Sequence, residues 1–481
     1  MTGGEGSSFA SAIKRLDAGA ARFLHALPFQ GLLALRAPNR GRGGEVLPVR
    51  VLDRGVPLAR IHDGRPSGRL IVGGHVDRRG RRVLTTLPGR SGLLLLGAPE
   101  SRKTTMIATI LASWPGGFVA SSTRPDLLTG YVKHVDPPGR VLIFDPARTV
   151  PVLPHGVERV AWSPVVAAID DEAAKRIAIA LIGDTDRDRG DKNDHFTIRA
   201  HHLLAALLTA ARLGGFGTMD VIRWITRASP DVALATLTEH DQPLAVSTLV
   251  SIAGTPAREA GSFWSAAARG VAQLTSPPVI SSCEDAENGY ALDPDAAIAQ
   301  HARVFVVAPS DASNDLRGLT VAVIDDLIRS ARRKSEIDGG CLTDPYLVAV
   351  DELANAPLGQ LPQLLSEGGG RGIRTVCATQ DYAQIEAAYT PQLAQAVRGV
   401  ASVVILPGVS SEVAEWACAR IGKHLVERET INPDGGKSRT VHESDRFPAA
   451  NITRLAPGTA LVLAGHHEPV IVRVLPPWRA V

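Results

Sequence analysis

Short apolar runs alternate with helical patterns from residue 91 onward. Strands are predicted at residues 92–96, 117–121 and 140–144, and a helix at 103–112 follows the first of them. Strands that alternate with helices are typical of a parallel sheet covered on both faces. The pattern therefore predicts an α/β fold.

The strand pattern stops after about residue 164, and long helical patterns rich in Ala and Leu replace it up to residue 300. Predicted helices in this stretch include 171–182, 196–213 and 259–274. Apolar strand patterns then return at 303–308, 346–350, 374–378, 401–406 and 459–464. We interpret this as one sheet that an all-helical insert interrupts. A Gly-, Asp- and Ser-rich stretch at 432–443 is predicted to be a loop.

The first 90 residues have a different pattern. A helical pattern at 8–35 precedes short strand patterns at 46–52, 69–72 and 82–87, which predicts a helix and a small β-rich region. Four arginines cluster in the turn at 78–82. This turn is either a solvated hairpin or a patch that contacts phosphate.

Composition limits the class of protein. The 481 residues are 44% hydrophobic and 21% charged, with a net charge of +3, so the chain is globular and its charge neither requires nor excludes a nucleic-acid partner. Its four cysteines form no metal-binding spacing and are expected to be reduced. No apolar stretch approaches the roughly 18 residues of a membrane span, and the N-terminus has no signal-peptide pattern, so we expect a cytoplasmic protein without a transmembrane segment.

The most informative stretch joins the predicted strand at 92–96 to the predicted helix that follows it. Gly97, Lys103 and Thr104 have the spacing of a Walker A loop. In such a loop, backbone N–H groups at a helix N-terminus hold phosphate oxygens, the lysine reaches the β- and γ-phosphates, and the hydroxyl is a ligand of Mg²⁺. An ordinary strand-to-helix turn is the alternative. The predicted residues for binding ATP are Gly97, Ser101, Arg102, Lys103, Thr104 and Thr105.

One position departs from the Walker A pattern. Arg102 precedes Lys103, where the pattern has glycine. A positive φ at this position would cost a residue with a side chain about 1–2 kcal/mol. We expect this departure to affect the rate of hydrolysis more than the binding of nucleotide.

Two acids follow the predicted strand at 346–350, in the form of a Walker B segment. Asp351 is predicted to hold Mg²⁺ together with Thr104, and Glu352 is predicted to orient and polarise the attacking water. Acids at strand ends also serve solubility alone. The Walker A loop favours the catalytic interpretation.

Two further candidates lie close to the predicted strand at 374–378. Gln380 follows this strand, where its amide could sense the γ-phosphate or the water, although a surface or capping glutamine is the alternative. Arg371 lies in a glycine-rich loop, from which an arginine could stabilise transition-state charge in a neighbouring subunit. A solvated loop is the alternative for Arg371.

With these residues the chain resembles the type IV secretion coupling proteins of the TraG/TraD class, most of all their actinobacterial-type members. The most specific features are the acidic strand end at Asp351, the glycine-rich loop at 367–374 and the strand end at Gln380, in this order and spacing. The resemblance runs from about residue 97 to residue 469. Supporting stretches lie at 121–128, 141–146, 162–164 and 452–463.

The resemblance implies a RecA-like P-loop NTPase domain with an inserted all-α domain, which works as a hexameric ring around DNA. It implies nucleotide binding by Lys103 and Thr104, metal and hydrolysis roles for Asp351 and Glu352, and a γ-phosphate or coupling role for Gln380. The implied partners are DNA, a relaxase or another secretion substrate, and components of a type IV secretion channel. The membrane anchor typical of many members is not expected here, so attachment to the secretion channel at the inner face of the membrane would need a partner protein or the N-terminal region.

The predicted organisation has four parts. Residues 1–90 form the N-terminal helix and β-rich region, 91–164 and 301–481 form the nucleotide-binding domain, and 165–300 form the inserted all-α domain. The function predicted is an ATP-dependent motor that recruits and delivers DNA or nucleoprotein. Two alternatives stay open, a nucleotide-binding scaffold with weak or lost hydrolysis and a pump for double-stranded DNA like FtsK or HerA.

Overall fold

The computed structural model describes residues 70–76, 82–87, 90–135, 139–183, 194–309, 315–431, 437–465 and 467–475. The predicted helix at 8–35, the predicted strand at 46–52 and most of the basic turn at 78–82 lie outside these residues. The strands in chain order are β1 (Ile71–Val76), β2 (Arg82–Thr86), β3 (Leu93–Leu96), β4 (Phe118–Ser122), β5 (Val141–Phe144), β6 (Val157–Val160), β7 (Arg303–Val307), β8 (Tyr346–Val350), β9 (Ile373–Thr379), β10 (Ser402–Ile405), β11 (Lys423–Ile431), β12 (Lys437–Asp445), β13 (Thr459–Leu463) and β14 (Val470–Arg473).

Twelve of these strands form one sheet, in the order β2-β1-β14-β13-β10-β3-β9-β8-β4-β7-β5-β6. From β10 to β6 every neighbouring pair is parallel, for example Leu94 opposite Cys377 and Ala120 opposite Ala349. The remaining four strands add to the β10 side in antiparallel pairs. The predicted α/β sheet is confirmed, with an antiparallel extension at one side.

The α-helices in chain order are α1 (Lys103–Ser113), α2 (Asp126–His134), α3 (Pro164–Ala167), α4 (Asp171–Ile182), α5 (Asp194–Gly214), α6 (Thr218–Arg227), α7 (Asp231–Glu239), α8 (Pro243–Ala253), α9 (Ala257–Ala272), α10 (Pro277–Asp285), α11 (Pro294–Ala299), α12 (Arg317–Ile337), α13 (Leu361–Ser366), α14 (Tyr382–Ala388), α15 (Pro391–Val400), α16 (Ser411–Ile421) and α17 (Ala449–Thr453). A π-helix (Ala286–Tyr290) and two 3₁₀ turns (Leu353–Asn355 and Gly368–Arg371) complete the helical elements of the described residues.

Both faces of the sheet are covered, which explains why its central strands are apolar without alternation. Leu93 and Leu95 of β3 belong to one core, against α1 and α2. Leu94 and Leu96 belong to the other, which continues into the helices on the opposite face. All four leucines are fully buried, as expected for a parallel strand between two helical layers.

The segment between β6 and β7 contains helices α3 to α11 and no β-strand among its described residues, apart from an isolated bridge between Ala161 and Ala291 at its base. Helix α4 has the predicted bounds because Asp170 caps it, accepting a hydrogen bond from the backbone N–H of Ala173, and its C-terminus meets Gly183 at φ 93°. Apolar residues of these helices are continuous with the core under the sheet. The domain bounds given above stay a prediction.

Three details differ from the sequence-based expectations. Strands β1 and β2 extend the main sheet at its edge. The predicted loop at 432–443 is wrong from Lys437 onward, because β12 pairs with β11 in a separate two-stranded sheet. None of the described side chains of this hairpin is buried, so they give no apolar pattern, and its Leu425 and Val441 are 71% and 59% exposed. The sequence also predicts one helix over 381–400, and the structure has two helices there, since Thr390 caps a new helix with Pro391 in its first turn.

Candidate functional site

Strand order brings the sequence candidates to one edge of the sheet. Strands β3, β9, β8 and β4 are neighbours in that order and run parallel, so their carboxyl ends share one edge. The loop that begins at Gly97 therefore lies beside Gln380, which lies beside Asp351, which lies beside Ser122. Strand β9, which ends just before Gln380, separates the Walker A strand from the acidic strand.

The Walker A loop ends at the N-terminus of α1. The Lys103 ammonium donates hydrogen bonds to the carbonyl oxygens of Gly97 and Ala98, at 2.6 and 2.9 Å, so the lysine side chain folds back over its own loop. Gly97 is required for space, because a side chain there would collide with the Ser101 hydroxyl. That hydroxyl is buried and has no hydrogen-bond partner among the described residues.

Arg102 has the backbone conformation that the Walker A pattern normally assigns to glycine. Its φ and ψ are 78° and 28°, in the left-handed region, and Glu100 of the same loop also has a positive φ of 62°. The Arg102 side chain is exposed and lies over Gly458, where an added Cβ would come within 3.0 Å of the Arg102 Nη1 atom. The loop thus has left-handed backbone at two residues with side chains, at a cost of about 1–2 kcal/mol each.

A direct contact joins the loop to the acidic strand. The Thr104 hydroxyl lies 2.9 and 3.0 Å from the two carboxylate oxygens of Asp351, a residue 247 positions away in the sequence. The Ser122 hydroxyl donates to the same carboxylate at 3.3 Å. Two hydroxyls and a carboxylate thus converge at one point, and hard oxygen donors of this kind suit Mg²⁺.

Burial shifts three pKa values at this edge. Burial raises the pKa of Asp351, against the opposing effect of hydrogen bonds from Thr104 and Ser122 and of the Lys103 charge. Burial likewise raises the pKa of Glu352, against the Lys103 charge and a hydrogen bond from Gln380. Burial lowers the pKa of Lys103, although both carboxylates oppose it. A cluster whose charged forms are all disfavoured by burial is typical of a functional site.

Glu352 and Gln380 lie together beside the lysine. One carboxylate oxygen of Glu352, Oε1, is buried with no hydrogen-bond partner among the described residues. The Gln384 side chain fixes the end of β9, since its Oε1 accepts from the Gln380 backbone N–H at 2.9 Å and from the Thr379 hydroxyl at 2.7 Å. Helix α14, which follows β9 and contains Gln384, therefore fixes the backbone of Gln380.

These side chains line a cavity of about 450 Å³. Its lining residues are Pro99, Lys103, Thr104, Ser122, Thr123, Arg124, Asp126, Asp351, Glu352, Ala354, Asn355, Gln380 and Gln384. The residues present fit a nucleotide with Mg²⁺, because the donor set is made of oxygens and the buried Ser101 hydroxyl and Glu352 Oε1 have no hydrogen-bond partner within the described ranges. The structure brings Lys103, Thr104, Asp351, Glu352 and Gln380 together.

Other predicted residues lie around or away from this cavity. Ser101 and Arg102 belong to the loop, and Thr105 lies in the first turn of α1, outside the cavity lining. Arg371 lies at the amino end of β9, about 23 Å along a seven-residue strand from the end that carries Gln380. Arg371 is partly exposed and forms an ion pair with Glu336 at 3.2 Å. Within one chain it does not reach the site, and its role in a neighbouring subunit stays a prediction.

Sequence reasoning missed the contribution of β4 and of the turn after Glu352. Ser122, Thr123, Arg124 and Asp126 follow β4 and line the cavity, as does Asn355. A polar run directly after an apolar strand was the available signal. This polar run can be assigned to the site only once β4 is known to be the neighbour of β8.

Comparisons with known proteins fit this arrangement. Residues 345–456 match the family model described as the TraM recognition site of TraD and TraG. The fold matches the bacterial conjugative coupling protein TrwBdeltaN70 in its unbound monoclinic form, with 19% identity, 91% of this chain and 96% of that chain covered, and a TM-score of 0.65. The predicted resemblance to the coupling proteins is confirmed.

Two further solved structures of the plasmid coupling protein TrwB are similar to the chain. The complex with a non-hydrolysable ATP analogue is 20% identical, covers 91% of this chain and 97% of that chain, and has a TM-score of 0.63. The complex with ADP and Mg²⁺ is 19% identical, covers 81% and 85%, and has a TM-score of 0.60. The prediction of a RecA-like P-loop NTPase fold is thereby confirmed. No curated protein matches the sequence.

None of the helices in the described ranges has both the length and the apolar character that crossing a bilayer requires.

Proposed function

We propose that this chain is an ATP-dependent coupling protein, a motor that recruits DNA or a nucleoprotein and delivers it to a type IV secretion channel. The contact between Thr104 and Asp351 carries the proposal. It joins two segments that are 247 residues apart into one site with the oxygen donors and the lysine that Mg²⁺ and a triphosphate require. The coupling-protein fold supports the same function.

Each residue of the site has a separate role in the proposed hydrolysis. Bound ATP with Mg²⁺ supplies the phosphoanhydride bond and the cation that offsets charge on its oxygens. Thr104 and Asp351 would hold the metal, and the ammonium of Lys103 would turn from its loop carbonyls to the phosphates. Glu352 would accept a hydrogen bond from the attacking water through its unpartnered oxygen and so orient it. Gln380 keeps that carboxylate in place.

The proposal includes an assembly and partners. In a hexameric ring, Arg371 of one subunit would leave Glu336 and stabilise charge at the site of its neighbour, since its own site is out of reach. DNA, a relaxase or another secretion substrate, and channel components are the proposed partners. The matched TraM recognition region supports a partner of the relaxosome type. A partner protein would hold the ring at the inner face of the membrane.

ATP turnover in the presence of DNA tests the enzymatic part. Glu352→Gln should lower turnover by at least about 100-fold, because the water loses its acceptor, while ATP still binds. Lys103→Ala should lose ATP binding as well. Glu239→Gln, on an exposed position at the end of α7, is the matched control and should behave as the wild type. Wild-type turnover no higher than that of Glu352→Gln would refute the proposed motor.

A nucleotide-binding scaffold is the second candidate, and the left-handed Arg102 is the observation that favours it. The backbone already has the glycine-like conformation, so Arg102→Gly should relieve about 1 kcal/mol of strain without changing the shape of the loop. The motor proposal expects turnover in the wild type and a change of only a few-fold in Arg102→Gly. Activity that appears only in Arg102→Gly would instead favour the scaffold.

A further inference from the structure

The helical segment contains a second cavity, which shares no lining residue with the nucleotide site. It lies between the beginning of α5 and helix α9 and has a volume of about 660 Å³. We call it the basic groove and define it by six of its lining residues: Phe196, Thr197, Arg258, Gly261, Ser265 and Arg269. The groove lies on elements that precede β7, whereas the nucleotide site lies at the carboxyl edge of the sheet.

One face of α9 forms the length of the groove. Arg258, Ser262, Ser265 and Arg269 follow each other at intervals of four, three and four residues, so they lie along one side of the helix. The two arginines are 11 residues apart, which corresponds to about 16 Å along the helix axis. Small residues between them leave the groove open.

The groove carries two positive charges, those of Arg258 and Arg269. Within the part of the chain that the structure describes, neither Arg258 nor Arg269 forms an ion pair, and both are exposed. Glu259, the acid next to Arg258 in sequence, faces His195 at 4.0 Å. Two exposed guanidinium groups at the two ends of one cavity form an attractive site for a polyanion.

An aromatic ring forms part of the wall. Phe196 is partly buried, and its ring lies 5.8 Å from that of His195 and 6.0 Å from that of the buried Phe263, so the cluster holds it in place. A positively charged groove that follows a backbone, beside an aromatic side chain on which bases stack, is the arrangement by which proteins bind single strands without sequence preference. An acidic peptide could pair its carboxylates with the arginines, but it has no base to stack on the Phe196 ring.

We propose that the basic groove binds single-stranded nucleic acid, with Arg258 and Arg269 on consecutive parts of the phosphate backbone and a base against Phe196. This inference rests on the proposed function in one respect, because it names a surface through which the motor contacts its DNA. It predicts contact by charge and stacking and no base-specific recognition, since the groove offers two arginines and small hydroxyl residues.

The test is binding of the full chain to a labelled mixed-sequence single strand, at a series of salt concentrations and without nucleotide. Arg258→Ala with Arg269→Ala should weaken binding at least about ten-fold and reduce the salt slope by about 1.4, since each phosphate contact contributes about 0.7 on a single strand. Phe196→Leu, which keeps an apolar side chain, should weaken binding about five-fold at an unchanged slope. The matched control is Arg212→Ala with Arg227→Ala, two exposed arginines of the same helical segment outside the groove.

The outcomes separate this inference from the proposed motor. If the wild type hydrolyses ATP while the groove variants bind the strand as well as the control pair does, the groove is refuted and the motor is not. A duplex of the same sequence that binds more tightly than the single strand, or poly-glutamate that displaces the strand at equal charge concentration, would also overturn the groove as a single-strand site. Loss of strand binding in the groove variants with ATP turnover without DNA unchanged supports it. A wild type that neither binds the strand nor hydrolyses ATP contradicts both.

Discussion

Two strand ends of the same sheet look alike in the sequence and differ in the structure. Asp145 follows β5 and Asp351 follows β8, and each ends a short apolar strand at the same edge. The two strands are three places apart in the sheet, about 14 Å, so only Asp351 lies near the Walker A loop. The hydrogen-bond partners around each carboxylate show what the two acids do.

Asp145 is enclosed by donors from its own part of the chain. It accepts from the backbone N–H groups of Thr149 and Val150 and from the Thr149 hydroxyl, each at 2.9 Å, and from Arg159 at 3.0 Å. Its side chain is fully buried. A carboxylate with this many local donors holds a turn together and has no free position for a ligand.

Asp351 has the opposite surroundings. Its polar partners are two hydroxyls, Thr104 and Ser122, which can turn toward another group, and a cavity lies in front of it. The comparison teaches that a strand-ending acid is structural when backbone N–H groups satisfy it, and available for a metal when only hydroxyls do. Asp145→Asn should therefore lower stability, and Asp351→Asn should lower ATP turnover.

Asp145→Asn is expected to give the largest effect, a loss of stability of about 3 kcal/mol. The new amide would point a donor at the donors of Val150 and Arg159, and Arg159 would lose its buried counter-ion. Chemical denaturation of the full chain measures it, with ATP turnover per folded molecule staying within about two-fold of the wild type.

Asp285→Asn is the matched control for this loss. It removes an exposed ion pair to Arg148, so its cost should be at most about 1 kcal/mol. Equal losses from Asp145→Asn and Asp285→Asn would show that the buried turn is not what the Asp145 carboxylate stabilises.

Asp351→Asn should be the inverse case. Turnover with Mg²⁺ and ATP should fall at least about 100-fold, because the metal loses its charged ligand, while the nucleotide-free protein should unfold no earlier than the wild type. Removing a buried carboxylate whose pKa is raised takes away an unfavourable charge. If Asp351→Asn unfolds more easily than the wild type and still hydrolyses ATP, Asp351 is a structural acid like Asp145.

These cases also show what the sequence could and could not predict. The Walker A spacing and the acids after β8 were visible because each lies within a few residues of an apolar strand that both cores bury. The contribution of Ser122 to the Asp351 site was not visible, since it depends on strand order, and β4 becomes the neighbour of β8 only after the 223 residues between them fold. The basic groove forms only where two helices meet, and the described side chains of the β11–β12 hairpin include no buried one that would leave an apolar pattern.

The pH dependence of stability offers a smaller effect at the Asp351 strand end. Burial raises the pKa of Asp351 and of Glu352 above their unfolded values, so the folded protein binds these protons more tightly. Their contribution favours folding at acidic pH and is lost as the pH rises from the unfolded values, about 4, through the folded values.

We therefore expect the nucleotide-free wild type to lose stability across that window relative to Asp351→Asn with Glu352→Gln. The measurement is the thermal unfolding midpoint of both proteins over a pH series. Mg²⁺ with ATP should reduce the difference, because the cation favours the charged carboxylates. Parallel pH profiles of the two proteins would contradict this expectation.

The smallest expected effect concerns the end of β9. The Gln384 side chain accepts hydrogen bonds from the Gln380 backbone N–H and from the Thr379 hydroxyl. It is therefore a positioning residue for Gln380. Gln384→Met keeps the length of the side chain and removes the acceptor, which should lower turnover about five-fold, as an unsatisfied buried donor costs about 1 kcal/mol. Gln384→Glu keeps the acceptor oxygens and should restore most of the rate. ATP affinity should stay unchanged in both variants, and a loss of affinity in Gln384→Met that Gln384→Glu does not restore would mean that Gln384 contacts the nucleotide directly.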